Sequence, residues 1–170
     1  PQSAAGKTIM TTEPKFIPPE AAVIRTKNGA EFKVRIVDCV GYLVPGVLGN
    51  LEDGKERMVN TPWFNEQIPF SKAAEIGTEK VIKDHSVIGI VITSDGSFGD
   101  LPRHSFIDAE RKTINQLKEL HKPFVIVLNS ATPQNIRTKE LAESLEIEYQ
   151  IPVIATNCQR MNEDSFDELF

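Results

Sequence analysis

Asp38 and Gly41 are the residues whose types and spacing point most directly to chemistry. A β-branched run, Val34-Arg35-Ile36-Val37, delivers the aspartate, and the glycine follows three residues later. A carboxylate at a strand end can hold Mg²⁺ through water, and a glycine lets a backbone N–H approach a terminal phosphate that a side chain would block. That is a phosphoryl-transfer arrangement. Any strand ending in a turn can carry D-x-x-G, so its neighbours must add weight. Upstream stands Lys7-Thr8-Ile9-Met10-Thr11-Thr12-Glu13. A hydroxyl from Thr11 or Thr12 can ligate the same ion and report the presence of a γ-phosphate. The commoner fate of a Thr-Thr pair is an edge strand.

Other strings tempt and fail. Gly6-Lys7-Thr8 invites G-x-x-x-x-G-K-[ST], but the first glycine of that motif would fall on Pro1, and Pro14 follows where a helix is needed. Asp95-Gly96-Ser97-Phe98-Gly99-Asp100 lacks the spacing and distal glutamate of a calcium loop and reads as a turn. His85, His104 and His121 form no i,i+4 pair, which argues against zinc. No Ser/His/Asp or Cys/His set assembles.

The elements that must position these residues follow from pattern. Residues 1–20 are polar with Pro14, Pro18 and Pro19 and read as loop. Residues 21–27 and 31–40 are β-rich around Asn28-Gly29, a strong hairpin signal. Residues 42–72 carry scattered Gly and Pro without sustained periodicity, a long connection of the kind more often functional than structural. From there the pattern alternates: helix at 73–85, apolar strand at 87–93, a helix capped by Ser105 and ending near His121, strand at 124–128, helix at 138–147, strand at 152–156, and a helix opening at Asn162. That alternation predicts a doubly wound, mostly parallel α/β sheet. With 170 residues, one domain is the default. Nineteen basic against 24 acidic residues give a net charge of −5 and no basic cluster, which argues against nucleic acid as a partner. Cys39 and Cys158 are read as reduced thiols of a cytoplasmic protein, and no stretch approaches the ~20 apolar residues of a membrane span.

The strings Pro1 to Phe16, Val37-Asp38-Cys39-Val40-Gly41-Tyr42, Asn60-Thr61-Pro62-Trp63, Ala73-Ala74-Glu75-Ile76-Gly77-Thr78, Val91-Ile92-Thr93-Ser94-Asp95-Gly96 and Asn129-Ser130 together resemble the nucleotide-binding domain of the stage IV sporulation protein A family. These are the coat-basement ATPases of spore-forming Firmicutes, in the translation-factor-related branch of P-loop NTPases. The resemblance covers nearly the whole chain. It implies a GTPase-like P-loop fold lacking its first strand, with switch I at 1–20, switch II at 38–72 and the remaining α/β core at 73–170 of one partial domain. It implies ATP with Mg²⁺ as the bound group. Asp38 takes the Walker B role, Thr11 or Thr12 the sensor role, and Gly41 supplies the N–H at the γ-phosphate. Asn129 and Ser130 then belong to the base-binding loop, where guanine-specific relatives carry N-K-x-D. Thr132 stands in the Asp place, which argues against GTP. The resemblance further implies hydrolysis that drives self-assembly into a polymer on the forespore surface, beside other coat or forespore-surface proteins, in the mother-cell cytoplasm. Membrane contact is expected only through regions outside this chain. The P-loop is expected to precede Pro1, leaving the fragment inactive alone. A non-catalytic α/β assembly module is the alternative.

Overall fold

A computed structural model of the chain describes residues 15–25, 29–47 and 50–161. The chain divides into two compact units: Pro1–Leu43 with Val47–Ser86, and Val44–Gly46 with Val87–Phe170.

Among the described residues the first unit holds three antiparallel hairpins and a helix. Strands β1 (Lys15–Arg25) and β2 (Glu31–Asp38) pair antiparallel, with a register irregularity between Ile17 and Ala22. Gly29 lies in the connection with φ +84°, the left-handed conformation the hairpin expectation required. Strand β1 starts six residues earlier than the composition suggests, inside the segment read as loop. Its prolines sit at the register irregularity, where a missing N–H leaves no ladder bond unmade.

The long connection is not irregular. It contains β3 (Leu51–Glu52) paired with β4 (Lys55–Glu56), then β5 (Met58–Thr61) paired with β6 (Phe64–Pro69) across Pro62-Trp63. Strands of two to six residues are too short for alternation to emerge from sequence, which is why this stretch read as structureless.

Helix α1 (Phe70–Lys80) follows and runs into a wider π-helical turn, Val81–His85. Phe70, Ala73, Ala74, Gly77, Thr78 and Val81 recur at helical spacing and are buried. No side chain of its own caps α1. Glu56 of β4 instead accepts from the Ser71 N–H (3.2 Å) and hydroxyl, placing a negative charge at the positive end of the helix.

The second unit is a three-stranded parallel sheet in the order β7 (Gly89–Ser94), β8 (Phe124–Asn129), β9 (Val153–Thr156). Helices α2 (Ile107–Glu119) and α3 (Ile136–Tyr149) are the crossovers. They touch each other through Tyr149 with Glu110 and Arg111 with Glu148, so both cover one face of the sheet. Val91, Ile126 and Leu128 are buried on that side with Ile114 and Leu117 of α2. Gly89 is required there, since a Cβ would lie 3.0 Å from Phe124 Cβ and 3.2 Å from both Leu117 methyls. The other face of β7 is unlike a buried parallel strand: Ile88, Ile90 and Ile92 are 58, 37 and 65% exposed. Among the described residues β7 has a hydrogen-bonded neighbour only in β8, and β2 only in β1.

Ser105 does not cap α2. It lies inside a 3₁₀ turn, Arg103–Phe106, where its N–H bonds Pro102 O at 3.0 Å, and the chain passes from this turn into α2 at Phe106. Helix α3 is capped as its sequence allows, Asn135 Oδ1 accepting from Arg137 N at 3.0 Å and Gln150 closing it at φ +56°. The helix expected from Asn162 lies outside the described residues.

Candidate functional site

In the first unit the ladder of β2 ends at Asp38, opposite Lys15, and leaves the carboxylate half-buried where the chain turns away. Gly41 is left-handed at φ +79°, with open space where a Cβ would stand. The glycine is therefore needed for its backbone angle, as a turn that aims successive N–H groups requires. Between the two, burial pushes the Cys39 thiol up from its ordinary range, opposed by the nearby Gly41 backbone N–H and Thr78 hydroxyl. Thr78 also donates to Ala74 O at 2.7 Å, so a hydroxyl of α1 stands beside the turn. Thr11 and Thr12 lie outside the described residues.

A hard-oxygen donor at a strand end fits Mg²⁺, which takes one or two carboxylates and keeps several waters. Among the described residues no group of three or more His, Cys, Asp and Glu forms a metal cluster.

In the second unit the carboxyl ends of the three strands are tied together. Asp95 N donates to Asn129 O (3.2 Å), Ser130 N to Thr156 O (2.9 Å), and Cys158 N to Asn129 Oδ1 (3.0 Å). Asn129 is half-buried and holds the turn after β9 against the end of β8. Ser130 is fully buried, and its hydroxyl meets Thr138 Oγ1 (3.3 Å) and accepts from Thr132 N (3.1 Å). Ala131 and Thr132, next in the loop, are exposed.

Asp95, read from sequence as a plain turn residue, is the charged centre of this edge. Its Oδ1 accepts from Ser97 N (2.9 Å) and from the Ser97 hydroxyl, and its Oδ2 from Thr138 Oγ1 (3.4 Å). Burial pushes the carboxyl up, but hydrogen bonds from Ser130, Ser97 and Thr138 outweigh it and hold the group below the ordinary carboxylate range. The Asp-x-Ser pattern after an apolar strand announces the local Asx turn. Nothing in the sequence announces Thr138, 43 positions away.

Behind it, Arg103 donates to Thr93 Oγ1 (3.0 Å) and pairs with buried Glu110 (2.7 Å), which also accepts from Tyr149 Oη (2.8 Å). Burial first, and the neighbouring Glu110 carboxylate second, push the Tyr149 hydroxyl well above its usual range.

All 170 residues match the family described as stage IV sporulation protein A, ATPase domain. The chain belongs to this family. It is 53% identical over 163 residues to stage IV sporulation protein A of Bacillus anthracis and 52% identical over 163 residues to that of Bacillus subtilis. Each alignment covers 96% of this chain and 33% of the relative. The protein of the same name from Clostridioides difficile is 50% identical over 169 residues, 99% of the chain and 34% of the relative. The chain thus spans about a third of the length of these relatives. Membership of an ATPase-domain family agrees with the mixed α/β architecture and its parallel sheet, and it implies a nucleotide as the bound group. The described residues include no helix long and apolar enough to cross a membrane.

Proposed function

We propose that this chain is the switch-bearing part of an ATP hydrolase whose turnover drives self-assembly into the coat basement layer on the forespore surface. The observation that carries the reading is Asp38 at the end of β2 with Gly41 three residues on in a left-handed turn, within a chain of an ATPase-domain family. Asp38 is assigned to hold Mg²⁺ through water, with Thr11 or Thr12 as a further ligand and sensor. When bound, the ion would neutralise charge on the phosphate oxygens. The Gly41 N–H would donate to the γ-phosphate, a charge-assisted bond roughly twice as strong as a neutral one.

Asn129 and Ser130 are assigned to the base-side loop. Asn129 would hold it to the turn after β9 and Ser130 would fix its backbone, leaving exposed Ala131 and Thr132 to face the base. Thr132 offers no carboxylate to pair with guanine, so ATP is favoured over GTP. In the P-loop NTPase fold assigned to the parent, a strand leading into the phosphate-binding loop, outside this chain, pairs with β7. The edge of β7 away from β8, which has no hydrogen-bonded strand among the described residues, supports it. Copies of the same protein, other coat proteins at the mother-cell face of the forespore, and a membrane reached through other regions are the proposed partners.

Steady-state ATPase assays on the full-length protein test the reading. Asp38→Ala is expected to abolish hydrolysis while part of the ATP affinity survives, and Thr11→Ala and Thr12→Ala to lower turnover more than binding. The 170-residue chain by itself is expected to give no micromolar ATP binding in calorimetry. Normal hydrolysis by all three variants would remove the switch assignments.

A further inference from the structure

Asp95 is the end point of two directed hydrogen-bond chains that both begin at the base-side loop. An ionised carboxylate can only accept and a backbone N–H can only donate, so a hydroxyl between the two accepts from the amide and gives its one proton to the carboxylate. Ser97 Oγ accepts from Ala131 N at 2.8 Å and therefore gives its proton to Asp95 Oδ1. Ser130 Oγ accepts from Thr132 N at 3.1 Å and lies 3.3 Å from Thr138 Oγ1, and both hydroxyls serve the same carboxylate, Thr138 donating to Asp95 Oδ2 at 3.4 Å. Two consecutive loop amides are thus held by hydroxyls whose protons all run to one carboxylate. Only an acceptor without protons of its own can end both chains, and an ionised aspartate is one. The turn that aims it is itself constrained. Gly96 has φ +84°, and a Cβ there would lie 2.5 Å from Arg103 N.

We propose that Asp95 is a positioning residue for nucleobase recognition: its carboxylate sets the backbone of Ala131 and Thr132 in the conformation that meets the base. This rests on the assignment of Asn129 to Thr132 as the base-side loop. Ligands of open α/β sheets bind outside the carboxyl ends of the strands, and this loop follows β8, the middle strand of the three. Small exposed residues there recognise a base through backbone N–H and C=O groups, which must be held in place before binding to avoid the cost of ordering them afterwards. Asp95 supplies that order without touching the ligand.

The test uses the full-length protein with Asp95→Ala, Asp95→Asn and the milder Ser97→Ala, each compared with wild type. In the Asp95→Ala protein the KM for ATP and the inhibition constant of ADP are expected to rise about tenfold, with kcat within about twofold. Inhibition by inorganic tripolyphosphate, which has no base, is expected to stay unchanged. A purely structural lesion would weaken both inhibitors together. Asp95→Asn keeps Oδ1 as an acceptor and is expected to recover about half of the lost affinity on a logarithmic scale. Ser97→Ala is expected to speed hydrogen exchange at Ala131 alone, and Asp95→Ala at both Ala131 and Thr132, before any nucleotide is added. An unchanged KM in Asp95→Ala, an equal loss with tripolyphosphate, or a fall in kcat at constant KM each overturns the proposal. If wild type neither binds nor hydrolyses ATP, the functional reading fails and this inference with it. Normal wild-type activity beside unaffected variants removes only the role of Asp95.

Discussion

Removing the Arg103 guanidinium should destabilise the second unit more than removing its partner, Glu110. The Glu110 side chain is 1% exposed and that of Arg103 19% exposed. The guanidinium lies 2.7 Å from one carboxylate oxygen and 3.0 Å from the other, and it also reaches Thr93 Oγ1 and Ser94 O. In Arg103→Met the carboxylate keeps only the Tyr149 hydroxyl. Breaking a buried pair from one side typically costs about 3–5 kcal/mol, and the partial exposure of Arg103 lets some water reach the stranded charge, so about 3 kcal/mol is expected. For a domain of this size that lowers the midpoint of thermal unfolding by roughly 12–24 °C. Glu110→Gln leaves a guanidinium that water can reach and a Tyr149 acceptor in place, so about 1–2 kcal/mol is expected. Arg103→Met combined with Glu110→Leu, which leaves no buried charge, should recover at least about 1 kcal/mol relative to Arg103→Met alone. Urea and thermal unfolding followed by far-ultraviolet circular dichroism measure all four proteins. A loss below about 1 kcal/mol in Arg103→Met, or a double variant no more stable than it, would refute the reasoning that this pair is a desolvated charge couple.

Gly41→Ala meets no atom within 4 Å but must hold φ +79°, so a loss of about 1–2 kcal/mol is expected, with Gly41→Asn better tolerated than Gly41→Ala in a chemical-denaturation series. Gly96→Ala adds an overlap with Arg103 N to the same backbone strain and should cost more than Gly41→Ala; equal losses would show that the tight turn relaxes freely. Because the Asp95 carboxyl is held below its ordinary range in the folded protein, its contribution is present above about pH 4 and lost as pH falls through the folded value. Stability measured from about pH 6 to about pH 2 should therefore fall less steeply in Asp95→Asn than in wild type, and parallel curves would remove the linkage. Cys39 and Cys158 are both raised by burial, so alkylation at about pH 8 should be slower than for a free thiol until urea is added, as mass spectrometry can follow.

What the sequence determined by itself is what local physics controls. The hairpin around Gly29, the three apolar strands β7 to β9 and their two crossover helices are legible because turn chemistry and periodicity act within a dozen residues. The positions of Asp38 and Gly41 at the end of β2 are legible for the same reason, and the family could be recognised from strings that local structure preserves. Tertiary structure decided the rest. The hairpins at 51–69 depend on pairing between strands too short to carry a pattern. The cap of α1 comes from Glu56, 15 positions before the Ser71 it meets. Asp95 looked like an ordinary turn residue because its second partner, Thr138, reaches it only once α3 is laid on the sheet. The Tyr149 hydroxyl likewise reaches Glu110, the partner of Arg103, only where α2 and α3 touch. A buried polar group must find a partner wherever the fold supplies one, and that choice is made by packing in space, which spacing along the chain does not encode.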